Sequence, residues 1–284
     1  MQGKKSIGVV YNPRSPEAEE LASLISRRLS SDRAAHLCSV ESERLQESIE
    51  GLSTVVTVGG DGTILRVARH AAPAGVPILG VNMGRLGFMT ELRAAEALDL
   101  VPRYLEEGYA RVEERAMLQA ELLSAMSGPG RPPMHALNDV VVGGAVVSRM
   151  IRVRVSVDGA ELAIFTADGV IVSTATGSTA YAFSAGGPIL HPASRDMIVK
   201  AVVPHMSLSG AVVVAPETTV ELVLLSDHQA MLSVDGHVDI PLAQHDRVRV
   251  TASPHQARFL RAHPPSYFFE TLARRLNVIR ETRP

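Results

Sequence analysis

Cysteine, lysine and long apolar runs are scarce in this sequence of 284 residues. Cys38 is the only cysteine, which excludes an intrachain disulfide and a cysteine metal cluster. A chain without disulfides suits a reducing compartment. No apolar stretch is long enough to span a bilayer, and the run before Tyr11 is too short for a signal peptide. We therefore expect a cytoplasmic protein.

Positive charge comes almost entirely from arginine, since lysine occurs only at Lys4, Lys5 and Lys200. Phosphate groups must therefore be held mostly by arginine or by backbone N–H groups. The net charge of −2 leaves no electrostatic footprint for nucleic acid. A hydrophobic fraction of 46% with 20% charged residues is typical of a globular protein. At roughly 150 residues per domain, the length allows one large domain or two ordinary ones.

The first third of the chain alternates short apolar runs with amphipathic stretches. Ser15 and Pro16 are a typical N-cap and first helical residue. Strands alternating with helices predict a parallel sheet with right-handed crossovers, and hence an α/β N-terminal domain. Ligands of such sheets bind at the carboxyl ends of the strands. The predicted strands lie at about 7–11, 35–40, 54–58 and 77–81, and the predicted helices at about 16–29, 43–49, 64–70 and 94–106.

The period changes to two between about residues 111 and 260. Residues 151–157 alternate strictly, and Asp158-Gly159 and Asp235-Gly236 are hairpin turn signals. This part predicts a mainly antiparallel β-sandwich, or a pair of sheets, as a C-terminal domain. A last amphipathic helix is expected at about 266–276.

The most distinctive motif follows the apolar run 54–58, which predicts a buried strand. It reads Gly59-Gly60-Asp61-Gly62-Thr63, and helical spacing follows it. Glycines let a phosphate approach backbone N–H groups, and a helix N-terminus adds donors and partial positive charge. A carboxylate inside such a loop repels phosphate but fits proton transfer or a bridging Mg²⁺. The alternative is a tight turn in which Asp61 only caps a helix.

Three further segments carry candidate binding groups. The glycine-spaced loop 82–88 leaves the next strand at the same edge of the sheet and could close over the first loop. The stretch 174–188 is rich in hydroxyls and small residues, which suits a ribose or a flat base, although an ordinary loop fits its composition equally well. Asn138-Asp139 suits base and sugar recognition, whereas an isolated pair of this kind is more often a turn.

Together these motifs resemble the NAD kinase family. Their order and spacing match the family over nearly the whole chain, and the run Thr-Gly-Ser-Thr-Ala-Tyr before Ser-Ala-Gly-Gly-Pro is the most specific part. The glycine-aspartate motif alone is shared with lipid kinases and phosphofructokinases. The matching segments are 59–63, 84–88, 138–139 and 176–188.

The resemblance implies phosphorylation of the 2′-hydroxyl of the adenosine ribose of NAD, by ATP or in some members by polyphosphate, to give NADP. It implies that Asp61 is the catalytic residue, which deprotonates or orients that hydroxyl. Residues 1–100, with the C-terminal helix at about 262–284 packing back, would form the phosphate-donor domain, and residues 101–261 the NAD-binding domain. The implied phosphate-donor loop consists of Gly59, Gly60, Gly62 and Thr63. The residues implied to bind NAD are Asp61, Gly62, Arg66, Phe88, Asn138, Asp139, Arg149, Asp168, Thr179, Ala180, Tyr181, Ala182, Ser184 and His237.

The same resemblance sets expectations for cofactors and partners. A divalent metal, Mg²⁺, is expected, with no residue assigned as its direct ligand. The sequence contains no Walker-type lysine loop and no Gly-x-Gly-x-x-Gly after a strand, so NAD is expected as a substrate and not as a hydride carrier. We expect a homodimer or homotetramer, with no nucleic-acid or membrane partner.

Two positions depart from the family pattern. Thr166 stands where many bacterial members have lysine or arginine, and His237 stands where related chains often have glutamine. His237 fits either a hydrogen bond to the acceptor or a place beside a hairpin turn, and Arg149 fits either a ligand contact or a solvated strand residue. The alternative functions are a lipid or other small-molecule kinase, and a non-catalytic dinucleotide-binding regulator.

Overall fold

The computed structural model describes residues 6–31, 33–84, 87–123, 131–146, 149–205 and 209–276. The chain divides into two units, Met1–Glu114 with Ala257–Pro284, and Arg115–Gln256. The predicted domain roles remain predictions, and residues 277–284 of the predicted C-terminal helix lie outside the described residues.

The first unit alternates strands and helices along the chain, and its sheet follows from this order. Three strands pair in parallel in the order β4, β3, β1, and β2 extends the sheet beyond β1. The N-terminal α/β prediction is thereby confirmed. The elements are β1 (Ser6–Tyr11), α1 (Pro16–Leu29), β2 (Ala34–Ser39), α2 (Leu45–Ile49), β3 (Thr54–Gly59), α3 (Asp61–Ala71), β4 (Ile78–Asn82), β5 (Leu92–Arg93) and α4 (Ala94–Tyr104).

The apolar pattern explains how the helices cover this sheet. Strands β3 and β4 are buried along their whole lengths, as their unbroken apolar runs predict. The side chain of Ser15 caps α1 by accepting the N–H of Ala18 at 3.3 Å, with Pro16 at the first helical position. The carboxyl ends of β3 and β4 lie side by side, because Gly59 pairs with Asn82.

The second unit consists of two antiparallel sheets. One contains β10, β9, β14 and β17, with β6 and β7 beside it, and the other has the order β13, β12, β11, β8, β15, β16. Their inner faces share one apolar core, so the predicted β-sandwich is confirmed. The elements are β6 (Arg111–Leu123), β7 (Met134–Ala136), β8 (Asp139–Gly144), β9 (Ile151–Val157), β10 (Ala160–Ala167), β11 (Gly169–Ser173), a 3₁₀ turn (Gly177–Thr179), α5 (Tyr181–Ser184), β12 (Met197–Val202), β13 (Val212–Val214), β14 (Val220–Leu224), β15 (Ala230–Val234), β16 (Val238–Leu242) and β17 (Arg247–Arg261), before α6 (Tyr267–Arg275).

Two features of the structure, the length of β17 and the presence of β12, differ from the sequence-based expectations. The strand predicted at 247–251 continues to Arg261, and its end pairs Phe259 with Ile78 of β4. Strand β12 was not predicted; it is buried throughout and includes Lys200, whose ammonium donates to the backbone carbonyl of Ser209. Among the described residues, none of the helices is both long and apolar enough to cross a lipid bilayer.

Candidate active site

The turn between β3 and α3 places Asp61 differently from the prediction. Asp61 was expected inside the glycine-rich loop, but it is the first residue of α3. The helix begins there because the carbonyl of Gly60 accepts the N–H of Thr63 at 3.0 Å and that of Ile64 at 3.4 Å. Gly60 is the N-cap residue, with an extended backbone. The carboxylate therefore stands at the positive end of a helix.

The carboxylate of Asp61 is held by the second glycine-spaced loop. Its two oxygens accept the N–H of Phe88 at 3.3 Å and the N–H of Met89 at 3.4 Å. A Cβ at Gly87 would collide with this carboxylate, so the approach of the loops requires glycine there. The alternative in which Asp61 merely caps the helix is wrong, because Gly60 is the cap and the carboxylate faces residues 87–89.

The glycines of the first motif fall into two groups. A Cβ at Gly59 would collide with the side chain of Thr63, so packing alone explains this glycine. Gly60 and Gly62 are exposed, neither has a positive φ, and an added Cβ would meet no atom within 4 Å. The conformation of the described residues therefore does not require glycine at these two positions. No side chain at Gly60 or Gly62 covers the backbone at the start of α3, so a phosphate group could approach its N–H donors.

Other predicted residues of the first unit have protein partners. Arg66 lies 3.6 Å from the carboxylate of Glu41 and is partly exposed. The ring of Phe88 contacts Phe268 at a centroid distance of 6.1 Å, and the guanidinium of Arg275 lies 4.5 Å from its centroid. The positions Arg85 and Leu86 of the second motif lie outside the described residues.

The donor set near Asp61 bears on the expected divalent metal. In the described part of the chain, no group of three or more histidine, cysteine, aspartate or glutamate side chains could hold a metal ion. Mg²⁺ commonly takes one or two protein carboxylates and completes its shell with substrate phosphates and water. The single carboxylate of Asp61 beside the exposed glycines of the β3–α3 turn fits that mode.

In the second unit, the carboxylate of Asp235 organises the backbone of the Asn138-Asp139 motif. It accepts the N–H groups of Leu137 at 2.8 Å, Asn138 at 2.7 Å and Asp139 at 3.1 Å. Asp235 itself has φ +52° in the hairpin turn between β15 and β16. Asn138-Asp139 is accordingly no isolated turn, since Asp139 begins strand β8.

Near this motif lie a buried carboxyl group and two buried polar atoms that have no hydrogen-bond partner among the described residues. Asp139 is 7% exposed, and burial, followed by the negative charge of Asp235, raises its pKa to about 7. The side-chain oxygens Oδ1 of Asn138 and Oγ1 of Thr176 are buried and accept or donate no hydrogen bond within the described residues. Such groups are costly unless water or a ligand satisfies them.

The hydroxyl-rich stretch 174–188 is more structured than an ordinary loop. It forms a 3₁₀ turn and the short helix α5, and several hydroxyls bind backbone within the unit. Thr174 donates to the carbonyl of Leu137 at 2.6 Å, and Ser178 donates to that of Ala175 at 2.6 Å. A Cβ at Gly177 would collide with the carbonyl of Asn138. The hydroxyl of Thr174 therefore ties the stretch to the Asn138 segment, whereas other hydroxyls of the stretch bind carbonyls within it.

The helix α5 carries several predicted contact residues. The ring of Tyr181 is 45% exposed, and burial of its remainder, followed by the charges of Asp168 and Asp139, raises the pKa of its phenol. Ala182 is buried, and the hydroxyl of Ser184 donates to the carbonyl of Ala180 at 3.3 Å. The ring of Tyr181, like that of Phe183 at 40% exposure, is thus open to a flat ligand.

The remaining predicted residues lie in the 3₁₀ turn and in connections between strands. Thr179 is half-buried, and its hydroxyl donates to the carbonyl of Thr176 at 3.1 Å. Arg149 and Asp168 are exposed, and the N–H of Gly144 donates to the carbonyl of Asp168 at 2.9 Å. His237 is half-buried in the β15–β16 turn, where its N–H donates to the carbonyl of Val234 at 3.1 Å.

Two residues of the second unit were not predicted as site residues. Asp235 was recognised only as part of a hairpin turn, although it is what orients Asn138 and Asp139. Thr176 belongs to a predicted motif, yet nothing in its spacing distinguished its hydroxyl from its neighbours. A positive φ at a non-glycine turn residue is visible only in the structure.

Comparisons with known proteins show which family the chain resembles. A family model described as the ATP-NAD kinase N-terminal domain matches residues 30–109, and one for the ATP-NAD kinase C-terminal domain matches residues 137–262. The chain is 36% identical to an NAD kinase of Dehalococcoides mccartyi over 274 residues, which cover 96% of each chain.

Solved structures show the same fold. An NAD kinase of Archaeoglobus fulgidus in complex with ATP is similar with a TM-score of 0.75 and 28% identity, over 96% of this chain and 99% of that one. A yeast NADH kinase complexed with NADH has a TM-score of 0.84 at 22% identity, over 99% of this chain and 90% of that one. At 22% identity, the similarity to the yeast NADH kinase shows a shared fold and no more.

Proposed function

Because the chain belongs to the NAD kinase family, we propose that it transfers the terminal phosphate of ATP, or of polyphosphate, to the 2′-hydroxyl of the adenosine ribose of NAD. The product is NADP. The observation that carries the proposal is the carboxylate of Asp61, which stands between two exposed glycines at a helix N-terminus and does not cap that helix. A site that only bound phosphate would gain nothing from a negative charge there.

Within the first unit, the chemistry divides between backbone and carboxylate. The bare turn at Gly60 and Gly62 holds the donor phosphates through N–H groups. Asp61 accepts the proton of the 2′-hydroxyl while the hydroxyl oxygen attacks the terminal phosphorus and ADP leaves. Arg66 contributes positive charge near the donor loop. Phosphoryl transfer depends chiefly on positioning and charge neutralisation, so no lysine-bearing loop is needed.

Within the second unit, polar groups recognise the dinucleotide. Asn138 and Asp139 take the adenosine base and ribose, and Asp235 fixes their backbone. The exposed ring of Tyr181 lies against a base, with Thr179, Ala180, Ala182 and Ser184 around it. Arg149, Asp168 and His237 contact the remaining parts of NAD, and Thr166 leaves that recognition without a further cation. Phe88 lies near the acceptor.

The finer properties of the enzyme belong to the same proposal. Residues 1–100 and the C-terminal helix form the phosphate-donor domain, and residues 101–261 form the NAD-binding domain. Mg²⁺, held by the substrate phosphates and Asp61, would neutralise the charge on the transferring phosphate. The enzyme is cytoplasmic and acts as a homodimer or homotetramer, without nucleic-acid or membrane partners.

The first test is NADP formation by the purified protein from NAD, ATP and Mg²⁺, read through an NADP-specific dehydrogenase. Asp61→Asn removes the proton acceptor with little change of shape, so kcat should fall by roughly 10²–10⁴-fold. NAD binding, measured by calorimetry, should remain nearly unchanged. Asp99→Asn, at an exposed position of α4, is the matched control and should keep full activity.

Two outcomes contradict this assignment. Unchanged turnover by Asp61→Asn means that the carboxylate is not the proton acceptor. Absence of NADP with ATP, with polyphosphate and with NADH as acceptor would instead favour the lipid-kinase or regulator alternative.

A further inference from the structure

A buried ion pair lies behind the loop that holds Asp61. Glu91 directly follows this loop and is 2% exposed, and Arg261 at the end of β17 is 6% exposed. The guanidinium Nη1 of Arg261 lies 3.0 Å from Oε2 of Glu91. Both residues belong to the first unit, although 170 positions separate them in the chain.

The second carboxylate oxygen of Glu91 is also fully engaged. It accepts the hydroxyl of Tyr104 at 2.9 Å and the N–H groups of Ala262 at 2.8 Å and His263 at 3.1 Å. It also lies 2.8 Å from Nδ1 of His263. Burial opposes the charge on Glu91, but Arg261 and these donors outweigh it and lower the pKa of the carboxyl. The pair is therefore ionised.

The ion pair is connected to Asp61 through the loop backbone. Nη1 of Arg261 donates also to the carbonyl of Thr90 at 3.2 Å. The hydroxyl of Thr90 accepts the N–H of Gly87 at 2.9 Å. Residues 88 and 89, between these two anchors, donate the N–H groups that hold the carboxylate of Asp61.

We propose that Arg261 and Glu91 are positioning residues, which fix the backbone of residues 87–90 so that its N–H groups hold the Asp61 carboxylate in its reactive orientation. The inference rests on the proposed role of Asp61 in phosphoryl transfer. A buried ion pair is weak evidence of a stabilising role, since apolar residues of similar size often stabilise a fold as well. The contacts of Nη1 of Arg261 with both Thr90 and Glu91 instead fix the position of the loop backbone relative to the ion pair.

The first test uses Arg261→Lys, which keeps the charge but replaces the rigid planar fork by a flexible point charge. We expect kcat for NADP formation to fall roughly ten- to hundredfold, as for a small misplacement of a reacting group. The KM for NAD should stay within about twofold, because the proposed NAD contacts of the second unit are unchanged. Arg258→Lys is the matched control: Arg258 lies on the same strand and pairs with Glu114 at 3.2 Å, away from the loop. It should keep the wild-type kcat.

The second test does not depend on turnover. The double variant Glu91→Gln/Arg261→Met removes both buried charges together. Glu113, which lies 3.4 Å from Nε of Arg261, keeps its ion pair with Arg111 at 3.3 Å. Hydrogen exchange of the amides of residues 87–90 should become on the order of tenfold faster, because the loop loses an anchor. Ile25→Ala, in the core beneath α1, lowers stability without touching the loop and should leave that exchange and kcat unchanged.

These measurements separate failure of the inference from failure of the proposed function. Unchanged exchange at residues 87–90 in the folded double variant overturns the positioning role, whatever the wild type catalyses. A wild-type kcat for Arg261→Lys also overturns it. If the wild type forms no NADP, the proposed function fails while the exchange experiment still decides the anchoring of the loop.

Discussion

At the residue scale, Asp139 and Asp235 are neighbouring carboxylates with different uses. The carboxylate oxygens of Asp235 accept three backbone N–H groups and so fix the segment that carries Asn138. Asp139 is buried beside that negative charge, and its pKa rises to about 7. A carboxyl group in this state can donate or accept a hydrogen bond near neutral pH, which suits recognition of ribose hydroxyls or a base edge.

The raised pKa of Asp139 predicts the direction in which the free energy of unfolding changes with pH. An unfolded aspartate ionises near pH 4, whereas folded Asp139 keeps its proton to about pH 7. Between these values the folded state binds more protons, so the contribution of Asp139 to stability is present below pH 4 and is lost as the pH rises to 7. The loss amounts to about 4 kcal/mol as an order of magnitude. We therefore expect the free energy of unfolding of Asp139→Asn, relative to that of the wild type, to be higher at pH 8 than at pH 5. Urea unfolding at the two pH values measures this difference.

The control for this measurement is Asp239→Asn, at an exposed position of β16 in the same sheet. Its stability relative to the wild type should not change between the two pH values. A parallel pH dependence of the wild type and Asp139→Asn would contradict the raised pKa.

At the scale of elements, the β3–α3 turn contains one glycine that packing requires and two that packing does not require. We propose that the latter two leave room for a ligand. Gly62 is the second residue of α3, and an added Cβ there meets nothing within 4 Å. Alanine is favoured over glycine in helices by roughly 1 kcal/mol, so Gly62→Ala should keep or raise the free energy of unfolding. The new methyl group should nevertheless raise the KM for ATP about tenfold or more, because it blocks the approach of phosphate to the backbone.

Gly59→Ala is the informative counterpart in the same turn. Its Cβ would collide with the side chain of Thr63, so its stability should fall in the same unfolding assay. If Gly62→Ala leaves the KM for ATP unchanged, the bare backbone at the start of α3 is not where the donor phosphates bind.

Elements with a local signal were predictable from the sequence. The β-branched run of β3, the Ser15 cap of α1 and the Asp235-Gly236 hairpin each carry their cause within a few residues. Strand β12 was not predicted because Lys200 interrupts its apolar run. Only the structure shows that the ammonium of Lys200 donates to the carbonyl of Ser209. Helix α5 was not predicted because its four residues, Tyr181–Ser184, are too few to show a helical period.

The candidate site was predictable in its parts and not in its connections. Asp61, Asn138 and Asp139 were found because each belongs to a short motif. The contacts that orient them join distant positions: Asp235 reaches Asn138 across 97 residues, and Arg261 reaches Glu91 across 170. No periodicity or local propensity encodes such pairs, since they arise only when the sheets have formed.

At the scale of the whole molecule, the scarcity of lysine predicts that the two proposed binding events differ in their need for a metal ion. The donor turn offers backbone N–H groups and Arg66, and the only lysines of the sequence before residue 200 are Lys4 and Lys5. Binding of a triphosphate should therefore depend on a metal ion to offset its charge. In the proposed site, NAD is recognised mainly by polar and acidic groups of the second unit together with Arg149 and His237, so we expect NAD to bind without a metal.

Thermal unfolding with and without EDTA tests this division of tasks. A ligand present at 100 times its Kd stabilises by about 2.7 kcal/mol, which corresponds to a rise in Tm of roughly 5 °C for a chain of this size. We expect NAD to raise Tm equally in EDTA and in Mg²⁺, ATP to raise it only with Mg²⁺, and NADP formation to stop in EDTA. Adding excess Mg²⁺ back should restore both the ATP effect and turnover. Loss of the NAD effect in EDTA, or an ATP effect of full size in EDTA, would show that metal and side chains do not share the charge in this way.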